Sequence, residues 1–94
     1  MPYITQEKRQ EIDESMEVLM GDIFCSFDLS PGDFNYIITQ LCLAYEYMSR
    51  DGENPTYTAY NQTIGVLECV KQEFYRRAVS VFEDQKKKEN GDVF

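Results

Sequence analysis

A lysine, a tyrosine and two arginines fall within one short run, LECVKQEFYRR at residues 67–77, of a chain with 17 acidic residues, 9 basic ones and no histidine. Lys71, Arg76 and Arg77 could recognise an anion through charge-assisted hydrogen bonds. Tyr75 would add a hydroxyl and a face on which a planar base can stack. On a helical wheel at about 100° per residue, Tyr60, Ile64, Leu67, Phe74, Tyr75, Ala78 and Phe82 lie within about 60° of Lys71. Lys71 therefore sits in the middle of the apolar stripe, and two readings of it stand side by side. Either its stem packs on the stripe while the ammonium snorkels out or pairs with Glu68, or the ammonium rims a site for an anionic ligand. Arg76 and Arg77 project to the far side. Glu73 precedes them by three and four residues, in the order that favours exposed ion pairs on a helix. The candidate ligand set is Lys71, Tyr75, Arg76 and Arg77, joined by Asn35 and Tyr36 from an earlier segment.

The remaining chemistry is sparse. The absence of histidine removes the commonest general base and the commonest metal ligand. Cys25, Cys42 and Cys69 are odd in number and far apart, and they read as buried free thiols of a reducing compartment, so no metal or other cofactor is expected. Glu68, Glu73 and Asp33 offer carboxylates without a visible pairing, and a non-enzymatic role is the expectation. A net charge of -8 repels a phosphate backbone, which argues against direct binding to nucleic acid. The polar start MPYITQEKRQ and the lack of any apolar run near about 18 residues predict a soluble, cytoplasmic protein without a membrane span.

The elements that must position these groups are helices. Ile12, Met16, Leu19, Met20 and Ile23 recur at helical spacing among acidic residues and predict an amphipathic helix over 6–24. The run SPGD supplies an N-cap at Ser30, a first-turn proline and an aspartate at the capping-box position, and it opens a second helix over 31–50. Gly52 and Pro55 within RDGENP end that helix in a solvated turn. From 55 to 88 only Gly65 interrupts a third helical pattern, about 45–50 Å long. That length exceeds the roughly 30 Å diameter of a compact chain of this size. Either Gly65 breaks the helix or one end is covered by something else. Ile64, Val66, Leu67, Val70 and Phe74 leave little polar face, and they are the expected interface of a homo-oligomer. The reading is all-α: one three-helix domain over 1–94 that assembles through its long C-terminal helix. The apolar Val93 and Phe94 are expected to dock on their own or a neighbouring subunit.

The strings MPYI, PGDFNYIIT, IGVLECVKQEFYRR and ENGDVF resemble a group of small, functionally uncharacterised proteins of bacteriophages, prophages and some bacteria, along nearly the whole chain. The resemblance imports no catalytic residue. It implies a viral or mobile-element setting, in which small accessory proteins often antagonise host defence.

Two functional expectations follow. The first is an oligomeric sponge that sequesters a nucleotide-derived immune signal, of cyclic-nucleotide or ADP-ribose type, between neighbouring subunits. The second is an acidic inhibitor or adaptor acting on a host protein. Residues 1–69 carry 12 acids and 3 bases, whereas residues 70–94 carry 5 acids and 6 bases, so the first helix could occupy a basic surface.

Overall fold

A computed structural model describes residues 4–50 and 52–94; the Met-Pro-Tyr start, with Tyr3, and Asp51 of the RDGENP turn lie outside the described residues. The described residues are helical, with no strand among them. Helix α1 spans Gln6–Phe24, α2 Pro31–Ser49, α3 Tyr57–Phe74 and α4 Ser80–Asn90. A π turn, Tyr75–Val79, joins α3 to α4 without a break. The third helix is thus long, as its composition requires, and runs over residues 57–90.

Each start is written in local hydrogen bonds. Thr5 Oγ1 accepts the Lys8 amide at 3.2 Å to open α1. Ser30 and Asp33 exchange bonds at the head of α2: Ser30 Oγ accepts the Asp33 amide at 3.1 Å, and the Asp33 carboxylate accepts the Ser30 amide at 3.0 Å. This reciprocal box satisfies two amides that would otherwise have no partner. Thr56 Oγ1 accepts the Ala59 amide at 3.1 Å, and α3 therefore begins two residues after the expected start at Pro55. At the far end Gly91, with φ of 87°, leaves the helical path while its amide still bonds the Lys87 carbonyl at 2.8 Å. A glycine takes that conformation without steric cost.

Gly65 lies inside unbroken α3, with open space where a Cβ would stand. The irregularity sits ten residues later. There the Ser80 amide bonds the Tyr75 carbonyl, an i→i+5 step, and the Tyr75 amide is shared between the Gln72 and Lys71 carbonyls. A π turn inserts about one residue into the repeat. Everything after Val79 is consequently rotated by about a quarter turn from a uniform 100° wheel, and Phe82 takes the place that Val81 would hold on such a wheel.

The chain falls into two units, Met1–Ile38 and Thr39–Phe94, divided within α2. In the first, Phe24 meets Phe34 edge-on at 6.2 Å between ring centres, which closes the Phe27–Pro31 connection onto an apolar corner. In the second, burial concentrates where α2 turns into α3, at Glu46, Ala59 and Thr63. No other helix of that unit runs alongside the third helix.

Candidate functional site

Lys71 stands largely in solvent, its side chain 75% exposed, with its Nζ 3.5 Å from Glu68 one turn earlier. The wheel explains how an ammonium in the stripe escapes burial. Val66 and Val70 extend the apolar arc on one side of Lys71, leaving the lysine toward the edge next to Glu68, from which a four-carbon stem reaches water. Of the two readings of this lysine, the structure contains the ion pair, in exposed form. Glu68 also accepts the Gln72 amide at 3.1 Å. That bond first, and the Lys71 charge second, hold its carboxyl below the usual range.

Arg76 and Arg77 converge on one carboxylate. Arg76 Nη2 lies 3.1 and 3.2 Å from the two oxygens of Glu73, and Arg77 Nη1 donates to one of them at 3.4 Å. The Arg76 bond, then the charges around it, depress the Glu73 carboxyl. The acid-then-base spacing read from sequence is the arrangement observed. Tyr75 reaches the other way, and its hydroxyl donates to Glu83, lying 2.9 and 3.1 Å from the two carboxylate oxygens. This bond spans eight residues and brackets the π turn. Bonding to a carboxylate favours the neutral phenol, so the Tyr75 pKa is raised.

These groups form an open, shallow surface: Glu68, Cys69, Lys71, Gln72, Glu73, Tyr75 and Arg76 line one depression along the helix. Three cations lie within seven residues, each on an exposed carboxylate that an incoming anion could displace, because exposed pairs are worth little. Asn35 and the exposed Tyr36 belong to the first unit and the lysine–arginine group to the second. Neither unit contains the whole candidate set. Of the residues expected at an interface, Ile64, Val66, Val70 and Phe74 are exposed, Phe74 at 67%, and Leu67 is half-buried. Val93 and Phe94 are fully exposed, so the tail does not dock on the described residues of its own chain. It is shaped locally instead: Lys87 pairs with Asp92 at 3.2 Å, and Asp92 accepts the Phe94 amide. The three thiols correct the sequence expectation, since Cys25 and Cys69 are exposed and Cys42 is half-buried. Short helical runs with few neighbours cannot enclose every apolar position.

The most enclosed charge among the described residues is one that the spacing did not single out. Glu46 is 4% exposed and Arg50 forks onto it, Nε to Oε1 and Nη2 to Oε2, both at 2.9 Å. Arg50 Nη1 also donates to the Glu53 carbonyl at 2.9 Å, and the guanidinium stacks 5.1 Å from the Tyr47 ring. The bond to Glu46 raises the Arg50 pKa. The i, i+4 spacing of glutamate and arginine was a signal in hand. Spacing alone does not tell that the pair is enclosed, nor that Arg50 reaches on to the Glu53 carbonyl.

A family profile described as Domain of unknown function (DUF6899) matches residues 1–93. The chain belongs to that family. No curated protein and no solved structure matches it. Among the described residues no helix is long and apolar enough to cross a membrane, and no group of His, Cys, Asp or Glu is placed to hold a metal ion.

Proposed function

We propose that this member of the family is a non-enzymatic binding protein that works as an assembly of its own copies and sequesters an anionic, nucleotide-like small molecule. The reading is that of a phage-type accessory protein countering host defence in the host cytoplasm. The observation that supports it is the adjacency, on one exposed helix, of an apolar stripe and a cationic, phenol-bearing surface. Ile64, Val70 and Phe74 lie bare beside Lys71 and Tyr75. A single chain supplies one wall of such a site, and a second copy would supply the facing wall and exclude water from the ion pairs. Calorimetry against cyclic dinucleotides and ADP-ribose derivatives, run with sedimentation of the same samples, tests it. At least one compound should bind the assembly, and Lys71→Ala should weaken binding by about tenfold to a hundredfold while leaving the helical fold intact. Absence of binding across the panel overturns the ligand.

A second reading rests on α1, which carries six acids against two bases, with Glu7, Glu11, Glu14 and Glu17 all exposed and no buried residue. That acidic face suits a protein inhibitor or adaptor acting on a basic host surface. If the panel fails, charge reversal at Glu7, Glu11, Glu14 and Glu17 should abolish capture of a basic host partner.

A further inference from the structure

The third helix carries a sharper pattern than a broad apolar face. Tyr57, Tyr60, Ile64, Leu67, Lys71 and Phe74 follow one another at steps of three, four, three, four and three, the alternation that keeps a seam facing a partner helix. A regular continuation would present Ala78 and Val81. With about one residue inserted by the π turn, the larger Val79 and Phe82 take those places instead. We propose that this seam pairs with the same seam of a second copy, and that the two helices run antiparallel, with Lys71 of each copy reaching Glu68 of the other.

Three observations carry the choice of occupant. Exposed portions of Tyr57, Tyr60, Ile64, Phe74 and Phe82 offer on the order of 600 Å² of mostly apolar side chain, most of what each side of a stable interface covers. No other helix of the second unit covers them. Charge selects a second copy: the chain as a whole is strongly acidic, but residues 57–90 hold five acids against six bases, so two copies repel least along this helix.

Lys71 selects the direction. In a parallel, in-register pair, position 71 of one helix faces position 71 of the other. Two ammonium groups then meet inside the seam, and like charges repel there. Antiparallel pairing about a two-fold axis at residue 69 keeps seam on seam, with Leu67 opposite Lys71 and Ile64 opposite Phe74; Glu68, beside Leu67, then lies in reach of Lys71 of the other copy twice over, and with the inserted residue counted Tyr60 meets Val79. It also sets the helix dipoles head to tail. The exposed pair within one helix, at 3.5 Å, is loose enough to be exchanged for the intermolecular one.

This inference rests on the homo-oligomeric part of the function proposed above, and its test separates the two. Lys71→Glu and Glu68→Lys are prepared as single variants of the full chain, and each is examined alone and mixed by sedimentation equilibrium. Each alone should raise the dissociation constant by about tenfold or more, because like charges meet across the seam. The equimolar mixture should associate about as tightly as the wild type, since every facing pair is again of opposite sign. An intrahelical pair alone predicts no rescue on mixing, and that result overturns the proposal. Direction is read separately, in a chain whose Cys25, Cys42 and Cys69 are serine. Tyr60→Cys mixed with Val79→Cys should form a heterodisulfide, whereas a disulfide of Tyr60→Cys with itself would mean parallel helices. A wild-type chain that sediments as a monomer at every concentration removes the assembly itself. An assembly that persists without rescue on mixing removes only the antiparallel pairing.

Discussion

Arg50 grips Glu46 with two parallel hydrogen bonds of 2.9 Å, and this fork is the best-enclosed ion pair among the described residues. Its third bond, to the Glu53 carbonyl, ties the end of α2 to the turn that follows. Removing one partner strands the other where water cannot fully replace it. Arg50→Lys keeps the charge but loses the fork, so it should lower the thermal midpoint by several degrees, and Glu46→Ala by more. Circular dichroism melts check both, and midpoints equal to wild type would show that the pair contributes nothing.

Ala59 is 0% exposed, and Thr63, one turn on, closes the same spot by donating its hydroxyl to the Ala59 carbonyl at 2.8 Å. Extra methylenes have no room there. Ala59→Leu should destabilise by about 1–3 kcal/mol through overpacking, measurable in urea. Tolerance of leucine would mean that the α2–α3 corner is looser than its burial implies.

Gly65 has nothing within 4 Å of the place a Cβ would take, and its backbone is ordinary helix. Alanine there adds a methyl group without a clash and removes unfolded-chain freedom. Gly65→Ala should raise stability by about 0.5–1 kcal/mol and leave the assembly unchanged. A loss of stability or of self-association would place a second copy directly over this glycine.

The titrating pairs of the candidate site act at opposite ends of the pH scale. Glu68 and Glu73 have depressed folded values, so their contribution is present above the ordinary carboxylate range and is lost as pH falls through the depressed values. Melting should weaken below about pH 4–5, and Arg76→Ala combined with Arg77→Ala should flatten that slope. Tyr75 is raised, so its contribution is present below the ordinary tyrosine value and is lost as pH rises past about 10. Tyr75→Phe should abolish that alkaline component; a profile identical to wild type would mean that the bond to Glu83 is not kept in solution. Both effects should be small, because every group involved is exposed.

Much of the architecture was legible from local signals. Ser30, Pro31 and Asp33 announce the start of α2 because a capping box needs only residues three apart. Glu73 ahead of Arg76 and Arg77 announces its ion pairs for the same reason: both ends belong to one helical turn. Periodicity likewise predicted three helices and a long third one, which needs no tertiary partner to be recognised.

What the tertiary structure decided depends on contacts or backbone states that no residue spacing encodes. Gly65 was the natural place to expect a break, yet the irregularity falls at Tyr75–Val79, among residues of ordinary helix propensity. The resulting phase shift reassigns the faces of everything downstream. Lys71 looked central on a wheel, and its place near the edge of the stripe emerged only when its exposure showed where the ammonium goes. Arg50 and Glu46 were readable as a pair, but their enclosure was not, because i, i+4 spacing says nothing of what covers the pair. By itself the sequence determined where helices begin, how long they run and which charges neighbour one another along them, because those are interactions over three or four residues. Which of these residues are enclosed, and which face remains open for a second copy, required the folded chain, because enclosure depends on segments remote in sequence.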